Sequence, residues 1–480
     1  MTPDAVVVGA GPNGLAAAVE LARNGLDVLV LEAEETVGGA ARTEELTLPG
    51  FRHDVGSSVY PLGIGSPFLS SLPLQDHGLE WVHPDVPLAH PLDDGRAVLL
   101  RSDLDETAAA LERDERAYRR MVAPFYHRWD AFRSHVLDAP TRIPRSPLLM
   151  LRFGFLAMRS TPSLAGRLHT LEARALLAGN AAHAGIPLAR PLASAVGLTL
   201  MVAGHAVGWP FARGGAGAIT AALASLLRSL GGTIETGSRI TSLADLPTAR
   251  ATLLAVTHRQ VAELAGDPLP GGERLPARYR HTLRSWEYGP GAFKVDWALD
   301  GPIPWAAPET TRAGTVHLGG TLEEIALAER APWEGVVSER PFVLLAQPSL
   351  FDPTRAPEGK HVAWGYCHVP NGWDGDATSV IEAQVERFAP GFRDRILARS
   401  VMGPADLERW NANLVGGDVN GGALTLRQTF GPLRSALHPW STPVDGLYVC
   451  SASRPPGGGV HGMAGYHAAR EALKRTFGVA

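Results

Sequence analysis

Length, composition and charge already restrict the class of protein. The chain has 480 residues, of which 45% are hydrophobic and 19% are charged, and its formal net charge is −5. This mildly acidic balance gives no electrostatic reason to expect a nucleic acid as a partner. Cys367 and Cys450 are the only cysteines, which excludes a disulfide framework, a cysteine zinc site and a CxxC redox pair.

The beginning of the chain indicates a cytoplasmic protein. The first predicted strand starts near Ala5, which leaves no space for a charged and then apolar signal segment. No apolar run reaches the roughly 20 residues that span a bilayer, so we expect membrane contact only at the surface. The 17 histidines show no HExxH or similar spacing, and we therefore expect no bound metal.

Residues 4–32 have the pattern of a βαβ unit. The apolar run Ala5–Val8 leads directly into a glycine turn, which a helix follows. That helix is expected to stop at Asn24-Gly25, and a second apolar strand then covers residues 27–31 and ends at Glu32. This is the GxGxxG pattern in the context that a dinucleotide-binding turn requires.

Each part of this turn has a mechanical role in binding a dinucleotide. Gly9 permits the tight bend, Gly11 lets the backbone approach a pyrophosphate, and Gly14 lets the helix pack closely on the strand. The helix start offers free N–H groups and a partial positive charge to the phosphates. Glu32 can accept hydrogen bonds from both hydroxyls of a ribose but would repel a 2′-phosphate. The unit therefore predicts FAD or NAD and not NADP.

Two further glycine turns favour FAD over NAD. Gly38 and Gly39 follow the second strand, and Arg42 is available there as a counter-charge to the diphosphate. Near the C terminus, a predicted strand at 446–450 leads into a glycine-rich turn at 451–462 and then into a helix. NAD does not need this third turn, whereas it suits the flavin end of FAD. The helix dipole there would favour the reduced flavin by about 1 kcal/mol.

A fourth glycine cluster, at 214–217, is interpreted differently. It follows Trp209 and Pro210 rather than an apolar strand, and no acid lies at the matching distance. We therefore expect a tight helix start that packs on the cofactor domain and not a second dinucleotide site.

The rest of the chain predicts a separate layer. Residues 80–205 are mostly helical in pattern, and further strands and helices follow. The predicted strands lie at 233–236, 239–240, 253–257, 292–299, 315–318, 342–347 and 361–368, and the predicted helices at 219–230, 323–330, 380–388 and 463–474. We predict a discontinuous FAD-binding domain from residues 1–80, 206–265 and 425–480, and a substrate domain from residues 81–205 and 266–424.

Motifs along nearly the whole chain resemble those of the phytoene desaturase/carotenoid isomerase-like flavoproteins. The similarity is greatest to the branch that is named after a pyridine nucleotide-disulfide oxidoreductase domain. The motifs are residues 7–14 with Glu32, 38–39, 51–57, 208–210 with 214–215, 356–361, 389–392 and 455–463. The resemblance implies an α/β fold, in which a Rossmann-type, glutathione-reductase-like FAD-binding domain with amine-oxidase-like topology is joined to an α+β substrate domain.

The resemblance also implies an activity. In this family, a flavin takes hydride from the substrate at N5 and a double bond forms. With no NADPH site evident, the electrons are expected to pass to oxygen or a quinone. We expect a dehydrogenase that acts on a small or medium-sized, largely apolar molecule. A redox-neutral isomerase of a conjugated substrate and a non-catalytic flavin-binding interaction protein are the alternatives, and the oligomeric state stays open.

The candidate site residues follow from the glycine turns and from the resemblance. His461 could donate to the flavin, move a proton or bond to its own backbone, and Tyr60 is the second catalytic candidate. Relatives often have Gly-Asp before the last turn, so the polar contact is expected here from Ser453 or the backbone. The expected cofactor-binding residues are Gly9, Gly11, Pro12, Asn13, Gly14, Glu32, Ala33, Gly38, Gly39, Ala40, Arg42, Thr43, Gly56, Ser57, Ser58, Ile240, Thr257, Ser453, Gly458, Gly459, Val460 and His461. Those expected to line the substrate pocket are His205, Trp209, His317, Trp364 and His368, although each also suits a place in the core.

One segment has two interpretations. Residues 146–168 mix apolar side chains with Arg152, Arg159 and Arg167. We interpret this segment as a helix that packs on the cavity with its arginines in solvent. A membrane-touching entrance for a lipid-like substrate is the alternative.

Overall fold

The structure is a computed structural model that describes residues 2–431 and 438–479. Its strands are β1 Ala5–Val8, β2 Val28–Leu31, β3 Thr43–Glu44, β4 His53–Asp54, β5 Trp81–Val82, β6 Val86–Pro91, β7 Ala97–Leu100, β8 Phe211–Ala212, β9 Thr233–Glu235, β10 Ala251–Leu254, β11 Gly291–Leu299, β12 Ala313–Leu318, β13 Val343–Ala346, β14 His361–Val369, β15 Ile396–Met402 and β16 Leu447–Val449. Its helices are α1 Pro12–Arg23, α2 Pro61–Ile64, α3 Leu104–Ala110, α4 Glu115–Tyr126, α5 Trp129–Val136, α6 Pro147–Ala157, α7 Thr161–Ala165, α8 Leu171–Ala182, α9 Ala193–Val207, α10 Gly217–Ser229, α11 His258–Leu264, α12 Ala277–Arg284, α13 Leu322–Arg330, α14 Thr378–Phe388, α15 Pro404–Trp410, α16 Leu426–Thr429 and α17 Met463–Ala472.

A parallel sheet forms the first layer. Its strand order is β16-β10-β1-β2-β9, and β1 pairs with β2 from Ala5 opposite Val28 onwards. Every residue of β1 is buried because helices α1, α10 and α17 pack on one face of the sheet and α11 and α12 on the other. Pro12 occupies the first turn of α1, and the helix ends before Asn24. The predicted βαβ unit and the α/β fold class are therefore confirmed.

A mixed sheet of seven strands forms the second layer. Its order is β15-β11-β14-β13-β12-β6-β7, and its pairs are antiparallel except for β12 with β6. Its outer face packs on α14. Its inner face, which we define by Lys294, Asp296, Trp364, Tyr366 and His368, turns towards the helical layer and the loops of the parallel sheet. The inner face therefore forms a wall opposite these helices and loops.

The two sheets support the proposed division into domains. The strands of the parallel sheet fall within residues 1–80, 206–265 and 425–480, and those of the mixed sheet within 81–205 and 266–424. This matches the division between a cofactor domain and a substrate domain, which stays a proposal.

Three local predictions were wrong. Residues 81–100, which we expected to be mostly helical, form β5, β6 and β7, because a short run that is buried on both faces gives no strand periodicity. Ile240 lies in an irregular connection whose regular part is the 3-10 turn Leu243–Asp245, and not in a strand. Thr257, which we placed at the end of a strand, caps the start of α11.

Helix α6 exposes part of its apolar surface. The side chains of Leu148, Leu151 and Phe155 are 80%, 72% and 60% exposed, whereas Leu149 and Leu156 pack into the core. The segment thus packs on the core through these two residues and leaves apolar side chains as well as Arg152 and Arg167 in solvent. Among the helices of residues 2–431 and 438–479, none is long and apolar enough to cross a membrane.

Candidate functional site

The first and second glycine turns lie against each other at the start of α1. A Cβ on Gly39 would lie 2.9 Å from the Cα of Gly11, and a Cβ on Gly14 would lie 1.9 Å from the carbonyl oxygen of Gly9. The backbone N–H of Gly38 donates to the carbonyl of Ala10 at 3.0 Å. Because no side chain fits between the turns, they present bare backbone to the site.

The third glycine turn meets the same helix start from the other side. Helix α17 crosses α1 so closely that a Cβ on Gly465 would lie 1.8 Å from the carbonyl oxygen of Asn13, and a Cβ on Gly462 would lie 2.9 Å from the Cβ of Ala16. Before that helix, Gly458 and Val460 are half-buried and Gly459 is exposed. Three turns that are distant in sequence thus converge at the N terminus of α1.

An unsatisfied polar atom marks this convergence. The side-chain oxygen of Asn13 is buried and has no hydrogen-bond partner among the described residues. It lies next to Pro12 in the first turn of α1, where free backbone N–H groups and the positive end of the helix dipole point outwards. A buried atom of this kind is normally satisfied by a ligand or an ordered water. The bare cradle and the free N–H groups of the helix start fit the pyrophosphate of a dinucleotide, and the Asn13 oxygen can accept a hydrogen bond from a ligand hydroxyl or a water.

Glu32 is held rigidly beside the first turn. Its Oε2 accepts a hydrogen bond from the N–H of Ala10 at 2.6 Å, and its Oε1 accepts one from the N–H of Glu34 at 3.0 Å. Each oxygen keeps a second lone pair that a ribose hydroxyl could use. The carbonyl of Glu32 accepts from the N–H of Ser238 at 2.7 Å, which brings the connection with Ile240 to this end of the site. Ala33 is half-buried at the same place.

Two expected cofactor ligands are instead bonded to Asp54. The hydroxyl of Thr43 donates to Oδ1 of Asp54 at 3.0 Å and accepts from the N–H of Gly217 at 3.1 Å. The hydroxyl of Ser58 donates to Oδ2 of Asp54 at 2.6 Å. The structure therefore gives Thr43 and Ser58 positioning roles, because their hydroxyls fasten the second turn to the start of α10.

Other expected cofactor ligands are also used within the protein. The guanidinium of Arg42 lies 4.1 Å from the ring centroid of Trp410 and donates to its carbonyl at 3.1 Å, whereas its buried Nε–H has no hydrogen-bond partner among the described residues. The hydroxyl of Ser453 donates to the carbonyl of Gly421 at 2.7 Å, and that of Thr257 donates to Gln260 at 2.8 Å. These bonds hold the three side chains in place beside the glycine turns.

The segment after β4 approaches the second turn closely. A Cβ on Gly56 would lie 2.4 Å from the carbonyl oxygen of Ala40, which explains the glycine there. Ser57 follows and is half-buried, with its hydroxyl 3.2 Å from that of Tyr60. Of the polar residues of this segment, Ser57 keeps a hydroxyl at the edge of the site.

Neither catalytic candidate from the sequence has the geometry of an acid or a base. The hydroxyl of Tyr60 donates to the carbonyl of Ser57 at 2.6 Å, and burial raises its pKa well above the ordinary value. Nδ1 of His461 accepts from the N–H of Met463 at 3.1 Å, and its Nε2 lies 3.3 Å from the carbonyl of Gly458. Burial lowers the pKa of His461 to about 4. Both side chains thus bond to nearby backbone, and His461 fixes its own turn.

The inner face of the mixed sheet carries a row of aromatic side chains. Trp364 and Tyr366 stack with ring centroids 5.7 Å apart, and the ring of His368 lies 5.6 Å from that of Tyr366. Trp364 and His368 therefore share one face, as their spacing on a strand predicts. Nδ1 of His368 lies 2.8 Å from a carboxylate oxygen of Glu329 on α13, and both side chains are buried.

A pair of histidines adjoins this row. Nε2 of His183, directly after α8, lies 2.8 Å from Nε2 of His317 on β12. The ring of Trp209 packs edge-on against both, with centroids 5.5 and 5.8 Å away. His205 has a different environment: its two nitrogens bond to the hydroxyl of Tyr118 and to a backbone carbonyl within the helical layer. The structure thus brings His317 and Trp209 together and leaves His205 in the core.

Two groups near the site were missed from the sequence. Nζ of Lys294 on β11 lies 2.5 Å from Oδ2 of Asp296, and both are buried on the inner face. A loop at 418–422 supports the third turn: Oδ1 of Asp418 accepts from the N–H of Asn420 at 2.7 Å, and a Cβ on Gly458 would lie 2.9 Å from Oδ1 of Asn420. The glycine pairs at 416–417 and 421–422 were the available signal for this loop.

Comparisons with known proteins agree with this geometry. Residues 7–69 match the family model of the NAD(P)-binding Rossmann-like domain. The chain is 29% identical to pyridine nucleotide-disulfide oxidoreductase domain-containing protein 2 of Rattus norvegicus over 97% of this chain and 92% of that protein. It is 27% identical to phytoene dehydrogenase of Streptomyces griseus over 82% and 77%, respectively. A structure of putrescine oxidase superposes with a TM-score of 0.62 at 17% identity, covering 100% of this chain and 99% of that one. The amine-oxidase-like topology is therefore confirmed.

Proposed function

We propose that the chain, an FAD-dependent oxidoreductase, dehydrogenates a small or medium-sized, largely apolar organic molecule. It is homologous to the pyridine nucleotide-disulfide oxidoreductase domain-containing proteins and to the phytoene and carotenoid desaturases. The observation that carries the proposal is the convergence of three glycine turns next to an aromatic wall. The isomerase and the non-catalytic alternatives are not favoured, since the named activities of these relatives are oxidations.

The chain's own residues hold the cofactor in this proposal. The backbone of Gly11 and Gly39 takes the pyrophosphate, and Glu32 takes the adenosine ribose. The third turn, Gly458 and Gly459, takes the flavin end, where the start of α17 favours negative charge. When bound, FAD supplies a hydride acceptor at its N5 atom.

The substrate side of the site consists of rings and few free polar groups. Tyr366 is half-buried and offers ring surface, and Trp364 and Trp209 are buried in the same cluster behind it. Such a surface excludes water and orients a molecule by shape. The name of the Streptomyces griseus relative, a phytoene dehydrogenase, supports an apolar substrate for this chain as well.

The electron acceptor in this proposal is oxygen or a quinone. The glycine cluster at 214–217 offers no second nucleotide turn in this proposal, because its backbone N–H groups are already used. Those of Gly214, Ala216 and Gly217 donate to Asp352, Asp54 and Thr43 at 2.7, 2.7 and 3.1 Å. Gly215 serves close packing on the cofactor domain, because a Cβ there would collide with Thr43.

The exposed face of α6 supports peripheral membrane contact. Leu148, Leu151 and Phe155 project from one side of the helix, and the guanidinium of Arg159 lies 4.6 Å from the ring centroid of Phe155. Apolar side chains beside a cation are typical of helices that lie in the interface of an anionic bilayer. A membrane is also where a largely apolar substrate would be held.

Anaerobic mixing tests the dehydrogenase proposal. The FAD-loaded protein is mixed without oxygen with polyenes, amines and cyclic alkane-like molecules, and the flavin absorbance is followed. We expect one of these to bleach the flavin stoichiometrically. Product formation without net bleaching would instead indicate an isomerase. Stable capture of a protein partner, with no bleaching and no product, would indicate an interaction protein.

A further inference from the structure

We propose that His368, held by Glu329, accepts the proton that the substrate loses during dehydrogenation. The inference rests on the proposed function. Forming a double bond breaks two bonds to hydrogen on adjacent atoms. One hydrogen leaves with the electron pair and reduces FAD, and the other leaves as a proton that must go to a base. In this assignment the proton goes to Nε2 of His368, and charge and electrons balance.

The two partners have the geometry of an oriented base. Nδ1 of His368 lies 2.8 Å from Oε2 of Glu329, and the side chains are 5% and 2% exposed. A buried carboxylate at this distance holds the proton of the neutral ring on Nδ1 and leaves the lone pair on Nε2. No hydrogen bond from any described residue reaches Nε2. The free lone pair is thus directed away from Glu329 and is available to a ligand.

Nε2 of His368 also lies next to the flavin end of the proposed cofactor site. The position that a Cβ would take on Gly185 is 3.8 Å from Nε2 of His368 and 3.4 Å from Nδ2 of Asn420. Asn420 in turn touches Gly458 of the third turn, where a Cβ would come within 2.9 Å of its Oδ1. A substrate that lies on Tyr366 beside this turn would therefore be within reach of His368.

The charges around His368 raise its affinity for a proton, which suits a proton acceptor. Burial lowers its pKa, but the charge and hydrogen bond of Glu329 on α13 and the charge of Asp418 raise it, and the net pKa is above the ordinary value. His183, after α8, stays neutral because burial and then the charge of His368 lower its pKa to about 3. Burial raises the pKa of Tyr366 on the same strand. Of these neighbours, His368 is the one that can take up and release a proton.

Other basic groups at the site are already occupied. Nε2 of His461 faces the carbonyl of Gly458, and its Nδ1 accepts from the backbone. Lys294 is paired with Asp296. His368 combines an open nitrogen, a fixed tautomer and a position on the aromatic wall.

Three variants test the assignment. His368→Gln removes the base, and Glu329→Gln removes its partner. His361→Gln is the matched control, because His361 lies at the opposite end of the same strand and bonds to Ser349. With a molecule that bleaches the wild-type flavin, His368→Gln should slow anaerobic flavin reduction by about 100- to 10,000-fold at unchanged FAD content. Glu329→Gln should move the acidic limb of the rate profile to lower pH, and His361→Gln should leave the rate unchanged.

A second measurement does not depend on activity. The FAD-loaded protein is prepared with histidines labelled with nitrogen-15, and the His368 signal in the NMR spectrum is assigned by its loss in His368→Gln. This signal should titrate with a pKa above the ordinary histidine value, and that pKa should be lower in Glu329→Gln. If His368→Gln reduces the flavin within about twofold of a bleaching wild type, or if His368 does not titrate above that value, the inference is overturned and the proposed function stands. If no molecule bleaches the wild type, the proposed function fails and the inference with it.

Discussion

Arg355 and Asp54 form a buried ion pair between a loop of the mixed sheet and the short strand β4. Nη2 of Arg355, on a loop after β13, lies 2.5 Å from Oδ2 of Asp54 on β4, and the side chains are 0% and 1% exposed. Asp54 also accepts hydrogen bonds from Ser58 and from the N–H of Ala216. One carboxylate therefore fastens the substrate sheet, the segment after β4 and the start of α10 to each other.

Removing the cation of this pair should destabilise the protein strongly. Arg355→Met leaves the Asp54 carboxylate buried without its partner, and we expect the free energy of unfolding to fall by about 3–5 kcal/mol. Urea unfolding followed by fluorescence measures this change. The matched control is Lys360→Met, because the pair of Lys360 with Asp300 is exposed, and it should not alter the unfolding curve. A loss below about 1 kcal/mol for Arg355→Met would show that the pair is not uniquely stabilising.

Glu32→Ala should weaken the binding of FAD. The change removes the carboxylate that orders the first turn through Ala10 and that we assign to the ribose. We expect a loss of about 1–3 kcal/mol, the scale of hydrogen bonds to a charged group. Fluorescence titration of the apoprotein with FAD gives the dissociation constant. Glu34→Ala is the control, since Glu34 pairs with Arg239 at the surface, and an unchanged dissociation constant for Glu32→Ala would refute the ribose assignment.

Acid should destabilise the protein from about neutral pH downwards. Burial lowers the pKa of His90, His205 and His461 to about 4 and that of His53 and His183 to about 3, against 6.5 in the unfolded chain. Between those values the unfolded state binds protons that the native state does not, so the free energy of unfolding falls as the pH falls. Each histidine contributes about 1.4 kcal/mol per pH unit.

Urea midpoints measured at several pH values test this dependence. The variant His205→Gln should reduce the slope by the contribution of one histidine. A midpoint that does not change between about pH 7 and pH 5 would contradict the burial of neutral histidines.

The exposed face of α6 should bind anionic membranes. Wild-type protein should sediment with vesicles that contain phosphatidylglycerol, because Leu151 and Phe155 can enter the headgroup region beside Arg159. The double variant Leu151→Ser with Phe155→Ser should lose at least about tenfold in vesicle affinity, since each buried apolar side chain contributes about 1.5–3 kcal/mol. Val336→Ser, at an exposed apolar residue elsewhere, is the control. Equal sedimentation of the wild type and the double variant would exclude this face.

The parts of the fold that local sequence determines could be predicted. Pro12 after Gly11 starts α1 because proline presets the φ angle of the first turn, and Asn24 with Gly25 ends it because Gly25 adopts a positive φ. The convergence of the glycine turns could also be predicted from the sequence, since each turn was assigned to a different part of one long cofactor. The alternation of apolar runs and glycine turns was sufficient to predict the fold class.

Long-range partners could not be predicted. Asp54 and Arg355 are 301 residues apart, and no local pattern connects them. The sequence correctly predicted the strand face on which His368 lies. Its partner Glu329 lies on α13, and only the packing of that helix on the sheet shows this contact. Thr43 and Ser58 were expected to bind the cofactor because their hydroxyls lie near the turn, and only the structure shows that Asp54 already uses both.

Reconstitution with FAD tests the central claim most directly. The apoprotein is titrated with FAD, and the bound flavin is counted by its absorbance and identified after release. We expect one FAD for each chain of the wild type and none for Gly11→Val. A Cβ on Gly11 would lie 3.6 Å from the Cα of Gly39, so the valine side chain would enter the gap between the two turns. Gly154→Val, at a helical glycine with open space around it, should bind as the wild type does. A protein that stays colourless with excess FAD, or a Gly11→Val variant that binds it normally, would contradict the account.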